Sequence, residues 1–200
     1  MRYLALGDSY TIGESVSAHE RFPVQLARRL REQGIQIDEP QIIARTGWTT
    51  DELERAILQN PPPGPFDLVT LLIGVNNQYR GRDAEEYRRE FVGLLERAIA
   101  FAGNNPARVI VISIPDWGMT PFGRNRKNVS AEIDMFNAIN QSEATARGVH
   151  YVNITPISRK AENDTSLIAG DGLHPSGKMY SQWVDLLLPI AQRILASSQD

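Results

Sequence analysis

Four short stretches of the chain carry residue types that can do chemistry together. The first is Gly7-Asp8-Ser9-Tyr10, which follows the apolar run Tyr3-Leu4-Ala5-Leu6. A short apolar run that stops at glycine reads as a buried strand with a sharp turn at its end, which presents Ser9 at the edge of a sheet. A serine hydroxyl is a weak nucleophile until a base takes its proton. His174, in Asp171-Gly172-Leu173-His174-Pro175, can be that base. Asp171 lies three residues before it and can accept from one ring nitrogen while the other faces Ser9, which fixes the tautomer the base needs. Attack on an ester carbonyl also develops an oxyanion, best held by donors fixed in advance. Asn76, in Gly74-Val75-Asn76-Asn77, offers a side-chain N–H, and the backbone N–H groups of Ser9 and Gly47 are its expected companions.

The remaining polar candidates read as structural. Asp8 is expected to hydrogen-bond backbone around the serine turn. His19 and His150 lack an acidic neighbour in a comparable turn and are expected to be structural or solvated. Three histidines without close ligand spacing argue against a metal site, and no cofactor is called for. The chain has no cysteine, which excludes disulfides, thiolate metal sites, iron–sulfur clusters and cysteine nucleophiles.

These residues must be positioned by elements that the apolar pattern locates. The 200 residues, 42% apolar, suffice for one well-packed domain spanning 1–200, and no break in composition marks a second. Strands are predicted near Tyr3–Leu6, Gln41–Ala44, Asp67–Ile73, Arg108–Ile114 and Val149–Ile154. Helices are predicted over Arg21–Gln33, from a Thr49 cap onward, and over Asp83–Ala102, Ser130–Arg147 and Ser176–Ala196. Pro189 is expected to kink or divide the last of these. Pro61-Pro62-Pro63-Gly64-Pro65 is a stiff connector.

Strands alternating with helices imply parallel βαβ units, hence a three-layer α/β/α sandwich around a five-stranded parallel sheet. In such sheets ligands bind beyond the carboxyl ends of the strands, where strand order reverses. A flavodoxin-like order 2-1-3-4-5 places Ser9 beside Asn76, with Gly47 arriving from the flanking second strand. The net charge of −3 gives no basic field for nucleic acid. No apolar run approaches the ~18 residues of a membrane helix. The absence of a leader pattern before the first strand makes a cytoplasmic location the expectation, or a periplasmic or secreted one if a leader was removed.

Gly7-Asp8-Ser9-Tyr10, Gly47, Gly74-Val75-Asn76-Asn77 and Asp171-Gly172-Leu173-His174-Pro175 together resemble the four blocks of the SGNH, or GDSL, hydrolases, in family order and at family-like intervals. The resemblance implies a flavodoxin-like sandwich and a metal-independent serine esterase. It also implies Ser9 as nucleophile, His174 as base, Asp171 as its orienting acid, and Ser9, Gly47 and Asn76 as the oxyanion hole. Two positions depart from the pattern: Tyr10 stands where leucine is usual, and Asn77 where aspartate is usual, which takes the charge out of a loop contact.

The substrate would be a small-molecule ester: a small acyl ester, a lysophospholipid, a thioester or an acetylated carbohydrate. Tyr79, Trp117, Met119 and Phe122 are the expected apolar wall for its acyl chain. Arg80, Arg82, Arg124 and Arg126 are expected to be solvated at the surface. Two other readings share these residues: an acyltransferase with the same triad, and a non-catalytic binding module on the same fold. A histidine base predicts activity that rises with pH through a macroscopic pKa of about 6–7.5.

Overall fold

Three uninterrupted apolar runs decide the architecture. β1 (Tyr3–Gly7), β3 (Leu68–Leu72) and β4 (Val109–Ile112) are buried along their whole length, as parallel strands covered on both faces must be. In the computed structural model, which describes residues 1–196, they form the centre of a five-stranded, all-parallel sheet. β2 (Gln41–Ala44) and β5 (His150–Val152), more polar and partly exposed, lie at its edges. The order is β2-β1-β3-β4-β5, so the direction of strand addition reverses between β1 and β3. Gly7 is level with Ala44 on one side and Leu72 on the other, so β1, β2 and β3 end together and their following turns open on one edge.

The helices cover both faces. α2 (Phe22–Glu32) packs against the last helix, α8 (Gly177–Ala196), which also meets β3 and β5. On the other face α5 (Ala84–Phe101) packs between α3 (Thr50–Gln59) and α6 (Val129–Ala146). The starts of α3 and α5 are written in the sequence. Glu52 accepts the Thr49 backbone N–H at 2.9 Å, and the Asp83 carboxylate accepts from the N–H groups of Glu85 and Glu86. One layer of the core is aromatic: Phe22, Tyr180 and Trp183 are fully buried, with Tyr180 and Trp183 edge to face at 5.0 Å.

The sheet order is the one the sequence implies, and three details differ. α8 continues through Pro189 undivided. β5 is shorter than its apolar run because the Ser113 hydroxyl takes the N–H groups of Ile154 and Thr155, at 2.8 and 3.1 Å, in place of a strand partner. Three short helices were not anticipated: α1 (Ser9–Ile12), α4 (Val75–Tyr79) and α7 (Thr155–Arg159). Two of them begin at the carboxyl ends of β1 and β3, where the candidate site lies.

Candidate active site

The turn after β1 depends on Gly7. A Cβ there would stand 2.1 Å from Thr11 Oγ1 and 2.4 Å from the Leu72 carbonyl, so only glycine lets the chain pass from strand into α1. Asp8 caps α1 by accepting the Tyr10 N–H at 3.0 Å. It is fully buried, and that burial raises its carboxyl from the ordinary range to about 7 against the pull of its backbone hydrogen bonds. Ser9 is the first residue of α1 and opens onto a cavity of about 230 Å³.

His174 lines the same cavity from the loop before α8. Its Nδ1 is 2.6 Å from Asp171 Oδ2, while Asp171 Oδ1 accepts the backbone N–H groups of Leu173 and His174 at 2.9 and 3.0 Å. Partial burial pushes the Asp171 carboxyl up. The hydrogen bonds from His174, from the Ser15 hydroxyl and from the two amides outweigh this and hold it well below the usual carboxylate range. Asp171 is therefore ionised beside His174 at neutral pH. The Tyr10 ring packs against the imidazole at a centroid distance of 5.3 Å. Among the described residues no hydrogen bond joins Ser9 to His174; such bonds are often long in unliganded sites and tighten when substrate binds.

The third wall comes from β3. Gly74 sits at φ +123°, and a Cβ there would meet the Tyr87 hydroxyl at 2.4 Å, so both backbone and space demand glycine. Asn76, in the first turn of α4, lines the cavity and donates through Nδ2 to the Trp48 carbonyl at 2.9 Å. The amide also stands 3.5 Å from the Asp8 carboxylate. Gly47 occupies the turn after β2 beside Trp48. Its carbonyl accepts from Arg80 at 2.6 Å, and it is not among the residues lining the cavity. Ser9, His174 and Asn76 are thus brought to one cavity, with Asp171 behind His174 and Gly47 flanking Asn76.

Asn77 resolves the departure from the family pattern. It is fully buried: Oδ1 accepts the Thr50 N–H at 3.1 Å, and Nδ2 donates to the Thr50 hydroxyl at 2.6 Å. That hydroxyl in turn donates to Glu90, whose carboxylate also lies 3.4 Å from Asn77 Nδ2. In this chain the contact from position 77 to Thr50 and Glu90 is made by an amide. An aspartate here would face that carboxylate with like charge.

Tyr79, Trp117 and Phe122 line the same cavity as Ser9. Trp117 is 5% exposed between two half-exposed rings, 5.4 Å from Tyr79 and 6.0 Å from Phe122. Its indole N–H donates to Gln78 Oε1 at 2.8 Å, and Gln78 Nε2 donates to Glu132 at 2.6 Å. Met119 corrects the expectation. It belongs to the single 3₁₀ turn Trp117–Met119, in which successive side chains point about 120° apart, so it leaves the Trp117 side. It lines a separate cavity of about 550 Å³ with Arg124 and Arg126.

Arg80 and Arg82 are engaged in ion pairs with Glu52 and Asp51. Val75 and Leu173 also line the cavity that Ser9 opens onto. They are the immediate neighbours of Asn76 and His174, and that adjacency was the signal available for them. Gln78 and Ser15 carried none, since their partners lie 39 and 156 residues away. Among the described residues no group of three or more metal-ligating side chains gathers in a form able to hold an ion, and no helix is long and apolar enough to cross a membrane.

An open parallel sheet with serine, histidine–aspartate and asparagine at the carboxyl edge of its strands defines a class of hydrolase fold. A family model confirms the class: residues 5–182 match the GDSL-like lipase/acylhydrolase family, and the chain belongs to it. Among solved structures it is similar to the psychrotrophic esterase EstA from Pseudoalteromonas sp., at 17% identity over 98% of each chain and a TM-score of 0.70. It is likewise similar to the lipase/acylhydrolase from Enterococcus faecalis, at 23% identity over 96% of this chain and 97% of that one, with a TM-score of 0.69. A third, the acetyl xylan esterase AlAXEase, shares 15% identity over 94% and 98% of the two chains, with a TM-score of 0.73. At these identities the likeness is one of fold. No curated protein sequence matches the chain significantly.

Proposed function

We propose that the protein hydrolyses carboxylic esters of short acyl chains through a covalent acyl-Ser9 intermediate. One observation carries this reading: the Asp171–His174 pair, joined at 2.6 Å, opens onto the same cavity as Ser9. In the proposed first step His174 Nε2 takes the proton of Ser9 as Oγ bonds to the ester carbonyl carbon. Asp171 accepts from Nδ1 and stabilises the imidazolium that forms. The oxyanion is held by the Asn76 side-chain N–H and the Ser9 backbone N–H, with the Gly47 N–H as the third donor. The carbon–oxygen bond to the alcohol then breaks and His174 returns the proton to the leaving alcohol. Water, deprotonated by the same histidine, releases the acid and restores Ser9.

The size of the cavity supports a short acyl chain. Sites for drug-sized ligands span about 300–1,000 Å³. The 230 Å³ here, at roughly 30 Å³ per water-sized group, holds about seven or eight non-hydrogen atoms. That accommodates the ester group, two to four acyl carbons and the first atoms of the alcohol. Trp117 forms the apolar floor, and the half-exposed rings of Tyr79 and Phe122 form a lip for the alcohol portion.

Labelling with a fluorophosphonate probe, read by intact mass, tests the reading together with hydrolysis of p-nitrophenyl acetate, butyrate and octanoate. The expected result is a single adduct that disappears in Ser9→Ala, with turnover fastest on the two shorter esters. No adduct and no turnover would overturn it in favour of a binding module.

A further inference from the structure

We infer that Ser15 is a positioning residue for the proposed reaction, tying the acid–base loop to the segment that carries the nucleophile. The inference rests on the ester-hydrolase reading above and adds to it a residue that neither the family blocks nor the cavity lining contains.

Ser15 is held at φ +64°, a backbone conformation that L residues other than glycine, asparagine and aspartate rarely adopt. Among the described residues two other non-glycine positions share it, and both, Asn104 and Asn128, are of the tolerant type. Serine at position 15 is the exception. The residue is exposed, so packing does not account for the choice. Its side chain has one hydrogen bond, donated by Oγ to Asp171 Oδ2 at 2.7 Å across 156 residues.

The recipient oxygen is the one that accepts from His174 Nδ1, and the other Asp171 oxygen is filled by the amides of Leu173 and His174. A carboxylate has about four acceptor positions. Three here are filled from within the Asp171–His174 turn. Ser15 fills the fourth, and it alone comes from outside. Without it no hydrogen bond ties the carboxylate to the segment that carries Ser9, and the carboxylate and imidazole are left with the Tyr10 ring against the imidazole and the Phe122 N–H on the Gly172 carbonyl to keep them from shifting away from Ser9. With it they are pinned six residues from Ser9, just beyond the end of α1. The same bond helps hold the Asp171 carboxyl ionised. Backbone strain accepted at an exposed position, spent on a bond to the orienting acid, is the pattern expected where conformation serves function.

The strain separates positioning from a structural role, because two substitutions pull the readouts apart. Ser15→Gly relieves the backbone and removes the donor. Ser15→Asn tolerates the same backbone and keeps a donor. On p-nitrophenyl butyrate, Ser15→Gly is expected to lower kcat about tenfold or more at unchanged KM, with Tm unchanged or higher, since a misplacement of about 1 Å at a reacting pair costs up to about 10²-fold. Ser15→Asn is expected to recover most of that loss. A Ser15→Gly enzyme within twofold of wild type in kcat overturns the inference, as does an equal loss in both variants. Wild-type protein that neither turns over the ester nor labels at Ser9 overturns the hydrolase reading as well, so the two failures are told apart.

Discussion

The two sides of the cavity are built on different principles. The side that carries Ser9 and Asn76 is an extension of the core: Gly7 and Gly74 are required by contacts of 2.1–2.4 Å that any Cβ would make, and Asp8, Asn77 and Gln78 behind them are buried. The side that carries Asp171 and His174 is a loop held by hydrogen bonds. The Ala169 N–H reaches the His174 carbonyl at 2.7 Å, Ser176 N–H reaches Leu167 at 2.8 Å, Phe122 N–H reaches Gly172 at 3.1 Å, and Ser15 holds Asp171. Packing resists every change of volume, whereas a hydrogen-bonded loop gives way one contact at a time. Substitutions on the first side should therefore cost stability and activity together, and those on the second activity with little stability.

The largest expected effect tests the loop side. His174→Ala should reduce kcat by about 10⁴-fold or more while unfolding free energy changes by about 1 kcal/mol, read by ester hydrolysis and chemical denaturation on one preparation. A collapse of stability in that variant would break the contrast. Gly74→Ala tests the other side. A non-glycine residue in left-handed backbone costs about 1–2 kcal/mol and displacing Tyr87 about 1–3 more, so the variant should unfold about 2–5 kcal/mol more easily. A Gly74→Ala protein of wild-type stability would show that this edge yields as readily as the loop.

A smaller effect sharpens the comparison through pH. The Asp8 carboxyl is raised to about 7 in the fold and sits near 3.9 in the unfolded chain. A raised acid contributes stability that is fully present below the unfolded value and is lost as pH rises through the folded one. Wild type should therefore lose about 2–3 kcal/mol from this group between pH 5 and 7, at 1.36 kcal/mol per unit. Asp8→Asn, which keeps an oxygen for the Tyr10 N–H, should lack that slope. Parallel slopes in the two proteins would mean that Asp8 is ionised in the fold throughout. Asp171 works in the opposite direction. Its depressed carboxyl adds stability above the ordinary carboxylate range, which is lost only in strong acid.

Much of this was legible in residue order. Continuous apolar strands with helices between them implied a parallel sheet, and the flavodoxin-like order that the family resemblance implies, which is the order observed, brought Ser9 beside Asn76. The Asp171–His174 pairing was readable because both partners lie in one tight turn. What escaped has a common physical cause: contacts between residues far apart in the chain leave no local pattern. Ser15 to Asp171, Gln78 to Trp117 and Thr50 to Glu90 are of this kind. Met119 failed for another reason. Its apolar character and loop were right, and the sense in which a 3₁₀ turn rotates its side chains cannot be read from composition. The short helices α1 and α4 escaped because four or five residues hold too little periodicity to register.

The hydroxyl of Tyr180, in the last helix, donates to the carbonyl of Tyr10, the residue after Ser9, at 3.0 Å. The turn after β1 is thus closed by α8, and His174 follows Ser9 by 165 residues. At the usual rate of synthesis of about 5–20 residues per second, roughly 8–33 seconds separate the synthesis of Ser9 from that of His174, its proposed base. A nascent chain shorter than that holds Ser9 without His174. On the proposed reaction, a chain that ends before Asp171 would lack both members of the pair that shares the cavity with Ser9, so competence would arrive as a late event of biosynthesis.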